Sequence, residues 1–284
     1  MRGRLPGPSA TRTSLMSLHG RIHGVSGKAT SRAAGGRQEG ARHNETKCIR
    51  TEVPPKRWGG VHGVSTRRAY NAGMRTRIKF CGMTRPGDVR LAVELGVDAL
   101  GFVFAANSPR RLGLEQLEGL RQAVPPLVDA VALFMDNPGS EVAAAIKILR
   151  PTLLQFHGGE DDAFCRGFGL PFIKTVPMGQ GADDAVMARK RYPSASAFLL
   201  DGHGPGQPGG RGERFDWTTI PPLGKPVFLA GGLSAANVAQ AIRTARPYAV
   251  DVSSGIESAP GTKDGDKMQQ FVDEVRRADR SSHE

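Results

Sequence analysis

The stretch RIKFCGMTRPGDVRLAVELGVDALGFVF, residues 77–104, contains the unit that decides the fold. Its two ends are short apolar runs typical of buried strands, whereas the residues between them carry apolar positions at helical spacing. A strand, a helix and a second strand in this order predict a parallel pair joined by a crossover helix. Cys81 ends the first run and Gly82 follows it, so the first strand is predicted to stop there.

The same alternation repeats along the rest of the chain. The predicted strands are Arg77–Cys81, Ala99–Phe104, Ala130–Phe134, Leu153–His157, Phe172–Val176, Ala197–Asp201, Val227–Ala230 and Ala249–Ser253. The predicted helices are Pro86–Leu95, Leu114–Ala123, Ser140–Leu149, Asp161–Phe168, Ala182–Tyr192, Ala235–Ala245 and Asp264–Ala278. After Asp201 the connection is Gly-rich and its helix is short or absent. Eight strands in 209 residues predict an α/β fold, a single-domain (β/α)8 TIM barrel. A doubly wound open sheet is the alternative, but the turn after Cys81 lacks the Gly-rich dinucleotide pattern of that class.

Charge divides the chain into two parts. The first 75 residues carry 15 of the 39 Lys and Arg residues and three of the 27 Asp and Glu residues, a net charge of +12. Residues 76–284 carry 24 of each sign and are neutral. Because Gly, Arg and Ser dominate residues 1–75 without apolar periodicity, this part is predicted to be a disordered basic extension. Residues 76–284 are predicted to be the barrel domain.

Three explanations of the basic extension stay open. Its acid-poor, Arg- and Ser-rich composition is similar to that of organellar transit peptides. Basic arms also bind nucleic acid, but this one lacks aromatic interleaving, and the neutral body disfavours such a partner. We favour the third explanation, in which translation starts near Met74, just before the first strand. The predicted location is therefore cytoplasmic, or organellar if the extension is a genuine transit peptide.

The sequence argues against a disulfide-rich, a membrane-spanning or a metal-binding protein. The chain has three cysteines, Cys48, Cys81 and Cys165. Three are too few for a disulfide framework and indicate a reducing compartment. No stretch approaches the roughly 20 apolar residues that cross a bilayer, so no membrane partner is predicted. A metal site is not predicted either, because the body lacks a helical His pair and Cys-x-x-Cys. Cys165 lies in a helical pattern with Phe164 and Phe168, which favours core packing.

Polar side chains stand where the predicted strands end, and in a barrel the loops after the strands form the open face. Cys81 could act there as a base or nucleophile if neighbouring groups lowered its pKa, although a lone cysteine is more often buried and inert. Asp201 closes an apolar strand, so desolvation should raise its pKa and suit it to act as an acid. The alternative for Asp201 is a helix cap, but no helix follows directly.

Further candidates lie in the loops. Arg110 could clamp a carboxylate or be a solvated surface arginine, and His157 is as well explained by a satisfied position at the core edge as by a catalytic one. Gly and Ser follow the last two strands, in Phe228-Leu-Ala-Gly-Gly-Leu and Val250-Asp-Val-Ser-Ser-Gly, where barrels commonly hold a phosphate. The Gly-rich loop after Asp201 is a mobile lid, a phosphate-binding backbone or a disordered insertion.

Together these motifs closely resemble the phosphoribosylanthranilate isomerase family of tryptophan biosynthesis. The matching motifs are Lys-Phe-Cys-Gly-Met-Thr-Arg, Gly-Phe-Val-Phe with Ser-Pro-Arg, Leu-Gln-Phe-His-Gly, Leu-Leu-Asp with Gly-Gly-x-Gly and Phe-Asp-Trp, Leu-Ala-Gly-Gly-Leu and Val-Asp-Val-Ser-Ser-Gly-Ile-Glu. They run in order from about Arg77 to about Val275. The resemblance implies an aldose–ketose isomerase that needs no cofactor. Its reaction is the Amadori rearrangement of N-(5-phosphoribosyl)anthranilate to 1-(2-carboxyphenylamino)-1-deoxyribulose 5-phosphate.

The resemblance also implies roles for single residues. Cys81 corresponds to the general base, Asp201 to the general acid, and Arg110 to the contact with the anthranilate carboxylate. His157 joins Arg110 as a candidate for substrate binding. The implied phosphate-binding positions are Gly210, Gly212, Gly232, Ser254 and Gly255.

Two features depart from the family pattern. The Gly-rich loop reads Gly209-Gly-Arg-Gly-Glu213 where the family commonly has Gly-Gly-Thr/Ser-Gly-Lys, although Arg211 could supply the positive charge. The basic extension has no family counterpart.

Two other functions are weighed against this one. The related phosphosugar isomerase of histidine biosynthesis typically has an aspartate where Cys81 stands. A non-catalytic, nucleic-acid-associated barrel is disfavoured by the Cys81 and Asp201 pair. The predicted partner is a small-molecule phosphosugar, and the oligomeric state stays open between monomer and homodimer.

Overall fold

A closed barrel of eight parallel strands forms the body of the chain. The structure is a computed structural model that describes residues 74–179, 181–204 and 214–281. The strands are β1 Arg77–Cys81, β2 Ala99–Val103, β3 Asp129–Phe134, β4 Leu153–Phe156, β5 Phe172–Pro177, β6 Ala197–Asp201, β7 Val227–Leu229 and β8 Ala249–Val252. Each strand pairs in parallel with the next, and β1 pairs with β8 to close the barrel. The predicted (β/α)8 TIM barrel is confirmed.

Helices connect the strands on the outside of the barrel. They are α1 Pro86–Glu94, α2 Leu117–Gln122, α3 Gly139–Leu149, α4 Asp162–Arg166, α5 Asp183–Arg191, α6 Val238–Ala245 and α7 Gly265–Ser281. Single 3-10 turns occupy Leu114–Gln116, Trp217–Thr219 and Ser254–Ile256. The helix predicted over 114–123 is divided between a 3-10 turn and α2. Between β6 and β7, the described residues contain only the turn at Trp217–Thr219, which agrees with the predicted short or absent helix.

Alternation along the strands separates two apolar regions. Successive strand residues face opposite sides of a sheet. In β1, Ile78 and Phe80 therefore point outwards into the large core between barrel and helices, where the Phe80 ring meets that of Phe271 at 6.0 Å. Lys79 and Cys81 point into the barrel. The odd positions of β1 thus supply its interior, and Cys81, as the last of them, reaches the open end.

The barrel interior is layered. Its floor is an apolar cluster of Ile173, Ala197, Leu199, Phe228 and Ala249, which occupy the first three positions of their strands, and Ala230 continues this cluster to the mouth. Above the floor lies a polar layer of buried side chains, which consists of Lys79, Gln155, Thr175 and Asp251. At the carboxyl ends lies the mouth, whose apolar members are Cys81, Val103, Ala105 and Leu133. Filled layers of side chains are usual in this fold, so the interior is a packed core and not a continuous channel.

A two-stranded antiparallel hairpin follows the last barrel strand. It pairs β9, Glu257–Ala259, with β10, Thr262–Lys263. The Thr84 hydroxyl donates to the Gly261 carbonyl at the hairpin tip, so the hairpin is held against the loop after β1. The sequence analysis did not predict it, because strands of three and two residues are too short to show a period.

Some predictions concern residues outside the described ranges. They include nearly all of the basic extension over residues 1–75, so its boundary with the barrel domain stays a prediction. Gly210, Gly212 and Arg211 also lie outside. Within the described part of the chain, no helix has both the length and the apolar character required to cross a membrane.

Candidate active site

A cavity of about 380 Å³ opens at the mouth of the barrel. It brings together six of the residues predicted from sequence, which are Cys81, Arg110, His157, Asp201, Gly232 and Ser254. They come from six different strand ends or the loops that follow them. Residues far apart in the chain meet here because parallel strands place all their carboxyl ends at one rim. The prediction that polar strand ends form one site is therefore supported by their placement.

Cys81 is the last residue of β1 and is almost fully buried beneath the cavity. Burial raises the pKa of its thiol above the usual value, while the nearby Lys79 ammonium lowers it and only partly offsets that rise. The condition named from the sequence, that neighbouring groups lower this pKa, is therefore not met in the free protein, because loss of water around a thiolate costs more free energy than a nearby ammonium restores. At neutral pH the thiol form therefore predominates in the free protein.

Asp201 is the last residue of β6 and is 6% exposed. Burial raises the pKa of its carboxyl group to about 6; the charge of His203 opposes the rise and that of Asp251 adds to it. The backbone amides of Gly202 and His203 donate to the carboxylate and also oppose it. The predicted rise is confirmed. Near neutral pH a useful fraction of Asp201 carries a proton, as a general acid requires.

His157 and His203 form a stacked pair beside Asp201. Their rings lie 4.6 Å apart between centroids, and the two Nε2 atoms are 2.8 Å apart. At that separation the two nitrogens share one hydrogen, because two donors or two bare nitrogens would repel. Burial lowers the pKa of His157 to about 3, with the neighbouring His203 as the next cause, so His157 is neutral at neutral pH. His157 lines the cavity as a neutral side chain suited to contact substrate.

The same histidines bear on metal binding. His157, Asp201 and His203 place one ligand atom each within 4.8 Å of one another. Helical His spacing and paired cysteines, the signals of a metal site in sequence, do not reveal three ligands that come from the ends of two strands. The close Nε2 contact is accounted for by the shared hydrogen alone, and the absence of a metal site stays a prediction.

Arg110 follows β2 and is held by an ion pair with Glu257 of the hairpin. Its Nε donates to Glu257 Oε1 at 2.8 Å and its Nη2 to Oε2 at 2.7 Å. Both side chains are buried, and the Lys263 ammonium donates to the same carboxylate at 2.8 Å. The single negative charge of Glu257 thus balances only one of the two positive charges of Arg110 and Lys263. The fork-to-fork geometry fixes the guanidinium plane at the cavity wall, which excludes the solvated-arginine alternative.

The loops after β7 and β8 form the opposite wall. Gly231 and Gly232 adopt φ values of 83° and 62°, which favour glycine. Asn237 pins this turn, because its side chain accepts from the Ser234 amide at 2.9 Å and donates to the Gly232 carbonyl at 2.8 Å. Gly255 does not line the cavity, but an added Cβ there would collide with the Leu233 carbonyl oxygen. The backbones of the two turns are thus in close contact.

Sequence reasoning missed several polar residues of this region, among them Lys79, Gln155, Asp251 and Glu257. Gln155 and Asp251 line the cavity, and Gln155 Oε1 is buried without a partner among the described residues. A signal was available for Gln155, since it stands two residues before His157 on β4 and so shares its face. Asp251 likewise interrupts an apolar strand at an inward position. Lys79 and Glu257 offered no local signal, because their partners are distant in the chain.

Cys165 behaves as predicted. It is fully buried in α4, and burial raises the pKa of its thiol to about 12, so it is inert.

Comparisons with known proteins give consistent results. A model of the family described as N-(5′-phosphoribosyl)anthranilate isomerase matches residues 78–274. A curated protein of that name from Xanthomonas campestris pv. campestris (strain 8004) is 56% identical over 211 residues, which cover 72% of this chain and 95% of the relative.

Solved structures agree with the sequence comparison. The phosphoribosyl anthranilate isomerase from Thermotoga maritima is 34% identical with a TM-score of 0.65, and the match covers 71% of this chain and 99% of that one. A structure of such an isomerase in complex with reduced 1-(o-carboxyphenylamino)-1-deoxyribulose 5-phosphate is 30% identical with a TM-score of 0.61, at the same two coverages. A further match, 28% identical with a TM-score of 0.60 over 71% of this chain and 98% of the other, describes monomers generated from the dimeric Thermotoga maritima protein.

Proposed function

The chain belongs to the N-(5′-phosphoribosyl)anthranilate isomerase family, and from this we propose that Cys81 and Asp201 are the base and the acid of its reaction. The enzyme acts in tryptophan biosynthesis, and its ligand is a small phosphosugar. The reaction moves hydrogen within the substrate, from C2′ to C1′ of the ribose. It needs one group that donates a proton and one that accepts a proton. The observation that carries the proposal is that Cys81 and Asp201 end two different strands and line one cavity.

The proposed mechanism opens the ribose ring, forms an enolamine and ends with the ketone. Protonated Asp201 donates to the ribose ring oxygen, the bond from C1′ to that oxygen breaks, and the anthranilate nitrogen lone pair forms an iminium. The Cys81 thiolate then takes the proton from C2′, and the released electron pair forms the C1′–C2′ double bond and neutralises the nitrogen. The resulting enolamine tautomerises to the ketone when C1′ gains a proton and the C2′ hydroxyl loses one.

The raised pKa values fit this order of events. Asp201, with a pKa of about 6, is acidic enough to protonate a weakly basic ring oxygen in the transition state. Cys81, with a raised pKa, is a stronger base when ionised than an ordinary thiolate. The iminium formed in the first step adds a positive charge beside the thiol, which favours its ionisation when the base is needed.

Arg110 is proposed to bind the anthranilate carboxylate. Its Nε and Nη2 groups hold Glu257, while Nη1 donates to none of the described residues. Arginine can therefore bind Glu257 along one edge and a substrate carboxylate along the other. His157 is proposed to contact the substrate from the neighbouring wall.

The phosphate is proposed to bind at the opposite wall. Gly232, Ser254 and Gly255 belong to two turns whose backbones approach closely, and α6 begins just beyond the first turn. Bare amides and the amino end of a helix favour a dianion there. Gly210 and Gly212 are proposed to complete this part of the site from the Gly-rich loop.

Loss of substrate fluorescence tests the catalytic pair. The fluorescence of phosphoribosylanthranilate disappears on turnover, and we expect Cys81→Ala and Asp201→Asn each to lower kcat by roughly 10²-fold or more. Cys165→Ala is the matched control, since that thiol is buried and inert. Near-normal kcat in either catalytic variant would place the role on another residue.

A homodimer is proposed as the assembly. Leu127 is fully exposed with a φ of 69°, and it borders a second cavity of about 290 Å³ at the amino ends of the strands. An exposed leucine in a strained loop favours contact with another copy. Light scattering should give twice the monomer mass, and Leu127→Asp should give the monomer. A monomeric wild-type protein would contradict the proposal.

Location in the cytoplasm is also proposed. Mass spectrometry of the native amino terminus tests it, since translation from a position near Met74 supports a cytoplasmic enzyme. A terminus created by cleavage within the extension would instead indicate an organelle.

A further inference from the structure

A buried ion pair lies directly beneath the proposed base. Lys79 and Asp251 belong to the polar layer of the barrel, and Lys79 Nζ donates to Asp251 Oδ1 at 2.7 Å. Lys79 is completely buried, and its ammonium charge lowers the pKa of the Cys81 thiol. The lysine ammonium thus binds one carboxylate and lies close enough to one thiol to affect its ionisation, and both groups belong to the barrel interior.

We propose that Lys79 is a positioning residue that stabilises the Cys81 thiolate, and that Asp251 holds the Lys79 ammonium in place for this purpose. The inference rests on the proposed role of Cys81 as the base. Lys79 would thus set the acidity of the thiol although it does not line the mouth cavity.

The neighbouring strand is shaped for this contact. Gly101 of β2 pairs with Cys81, and an added Cβ at Gly101 would lie 2.7 Å from Cys81 Sγ and 3.1 Å from Lys79 Nζ. Both distances are too short for an ordinary contact. A side chain of any size at this position would therefore separate the sulfur from the ammonium. Glycine leaves the space in which the two groups meet.

The other charged groups near Cys81 are engaged elsewhere. Lys263 lowers the pKa of the thiol, but its ammonium donates to the Cys81 carbonyl at 2.6 Å and to Glu257 at 2.8 Å. Arg110 is bound by Glu257. Asp251 acts in the opposite direction and raises the pKa of Cys81. Among the charges that lower this pKa, Lys79 has the largest effect.

An ion pair in a barrel core can also be purely structural. In that case loss of the Lys79 charge would lower stability without changing the acidity of Cys81. The two roles are separated by the pKa of the thiol, because an opposite charge within about 4–6 Å lowers an acid's pKa by about 1–3 units.

The test is the rate at which iodoacetamide alkylates Cys81 in the full chain between pH 7 and pH 10, followed by mass spectrometry of its peptide. We expect Lys79→Met to slow alkylation at pH 8 by about tenfold or more, because less thiolate is present. Since Lys79→Met leaves Asp251 as an unpaired buried charge, Lys79→Met with Asp251→Asn is the second variant; it should slow alkylation in the same direction by less.

Lys174→Met is the matched control. Lys174 is also a buried lysine paired with a carboxylate, Glu160 at 2.8 Å, but it lies on the outer face of β5. Its loss should leave the alkylation rate of Cys81 unchanged. Gly101→Ala keeps every charge and should slow alkylation, because the methyl group enters the gap between sulfur and ammonium.

The outcomes separate this inference from the proposed function. If alkylation is as fast in both Lys79 variants as in the wild type, the positioning role is wrong. If Cys81→Ala keeps normal kcat, the base is another residue, and the alkylation rates still report whether Lys79 sets the acidity of Cys81.

Discussion

The mouth and the floor of the barrel are built from the same strands but from opposite kinds of side chain. The floor is an apolar cluster without an ionisable group, whereas the mouth gathers thiol, carboxylate, guanidinium and imidazole within one cavity. Burial of the floor removes no charged group from water, so the floor stabilises the fold. The mouth buries ionisable groups that water would solvate better, and this loss of solvation raises the pKa of Asp201. In this molecule stability and chemistry are separated by a few residues along each strand.

Two leucines make the comparison quantitative. Leu199 is fully buried in the floor, and Leu133 belongs to the mouth and lines the cavity. Leu199→Ala should lower the free energy of unfolding by about 2–5 kcal/mol and leave kcat of the folded enzyme unchanged. Leu133→Ala should cost less stability, because the space it leaves joins an open cavity, and should raise KM. Denaturant unfolding and steady-state kinetics measure both. Equal stability losses in the two variants would break the distinction.

Asp201→Asn should affect activity and stability in opposite directions. The folded-state pKa of about 6 lies above the ordinary 3.8, so folding favours the protonated carboxyl. The resulting destabilisation is absent below pH 3.8, grows as the pH rises to about 6, and is complete above that. At pH 8 the variant should therefore have a higher Tm than the wild type, besides its low kcat. A lower Tm would mean that the carboxylate stabilises the mouth.

The pH profile of kcat/KM should be flat over a wide range. In the proposed mechanism the active form has Asp201 protonated and Cys81 ionised, and the fraction of enzyme in this form is constant between the two pKa values. Below about pH 6, the pKa of Asp201, kcat/KM should fall about tenfold per unit, because thiolate is lost while Asp201 is already protonated. The upper limb should lie at the raised pKa of Cys81. A steady rise from pH 6 to pH 9 would show that Asp201 is not the acid.

Glu257→Gln tests how the mouth holds Arg110. A neutral amide cannot fix the guanidinium by two charge-assisted hydrogen bonds, so KM should rise by roughly tenfold while kcat changes less. Glu274→Gln is the control, because Glu274 forms an exposed ion pair with Arg277. An unchanged KM in Glu257→Gln would mean that Arg110 does not depend on the hairpin.

The smallest effect is expected far from both regions. Deletion of residues 1–73 should leave kcat and KM unchanged, because the family match begins at residue 78. Fluorescence kinetics on the shortened chain would show a role for the extension if either constant changed severalfold. This also tests the proposal that residues 76–284 form the complete catalytic domain.

The fold was predictable because each barrel strand appears in the sequence as a short apolar run that can be recognised without its partners. Arg77–Cys81 and Ala197–Asp201 have the predicted bounds, since their apolar runs end abruptly at a polar residue or a glycine. The ends of those runs also identified Cys81 and Asp201. Shorter elements such as β9 and β10 carry no such signal.

The partners of the site residues could not be predicted. Lys79 and Asp251 are 172 residues apart, and Arg110 and Glu257 are 147 residues apart. A lysine in a strand is normally assigned to solvent, because its burial costs several kcal/mol unless a counter-charge is present. Only the closed barrel supplies that counter-charge, so the environment of Cys81 is a property of the tertiary structure.

The seam at which β1 meets β8 has a consequence for synthesis. Cys81 is among the first residues of the barrel to leave the ribosome, whereas Asp251, Ser253 and Lys263, which surround it, are among the last. A nascent chain that ends before β8 therefore carries the thiol and Lys79 without the carboxylate that holds Lys79 in place. The proposed base thus reaches its final acidity only after β8 pairs with β1, late in synthesis.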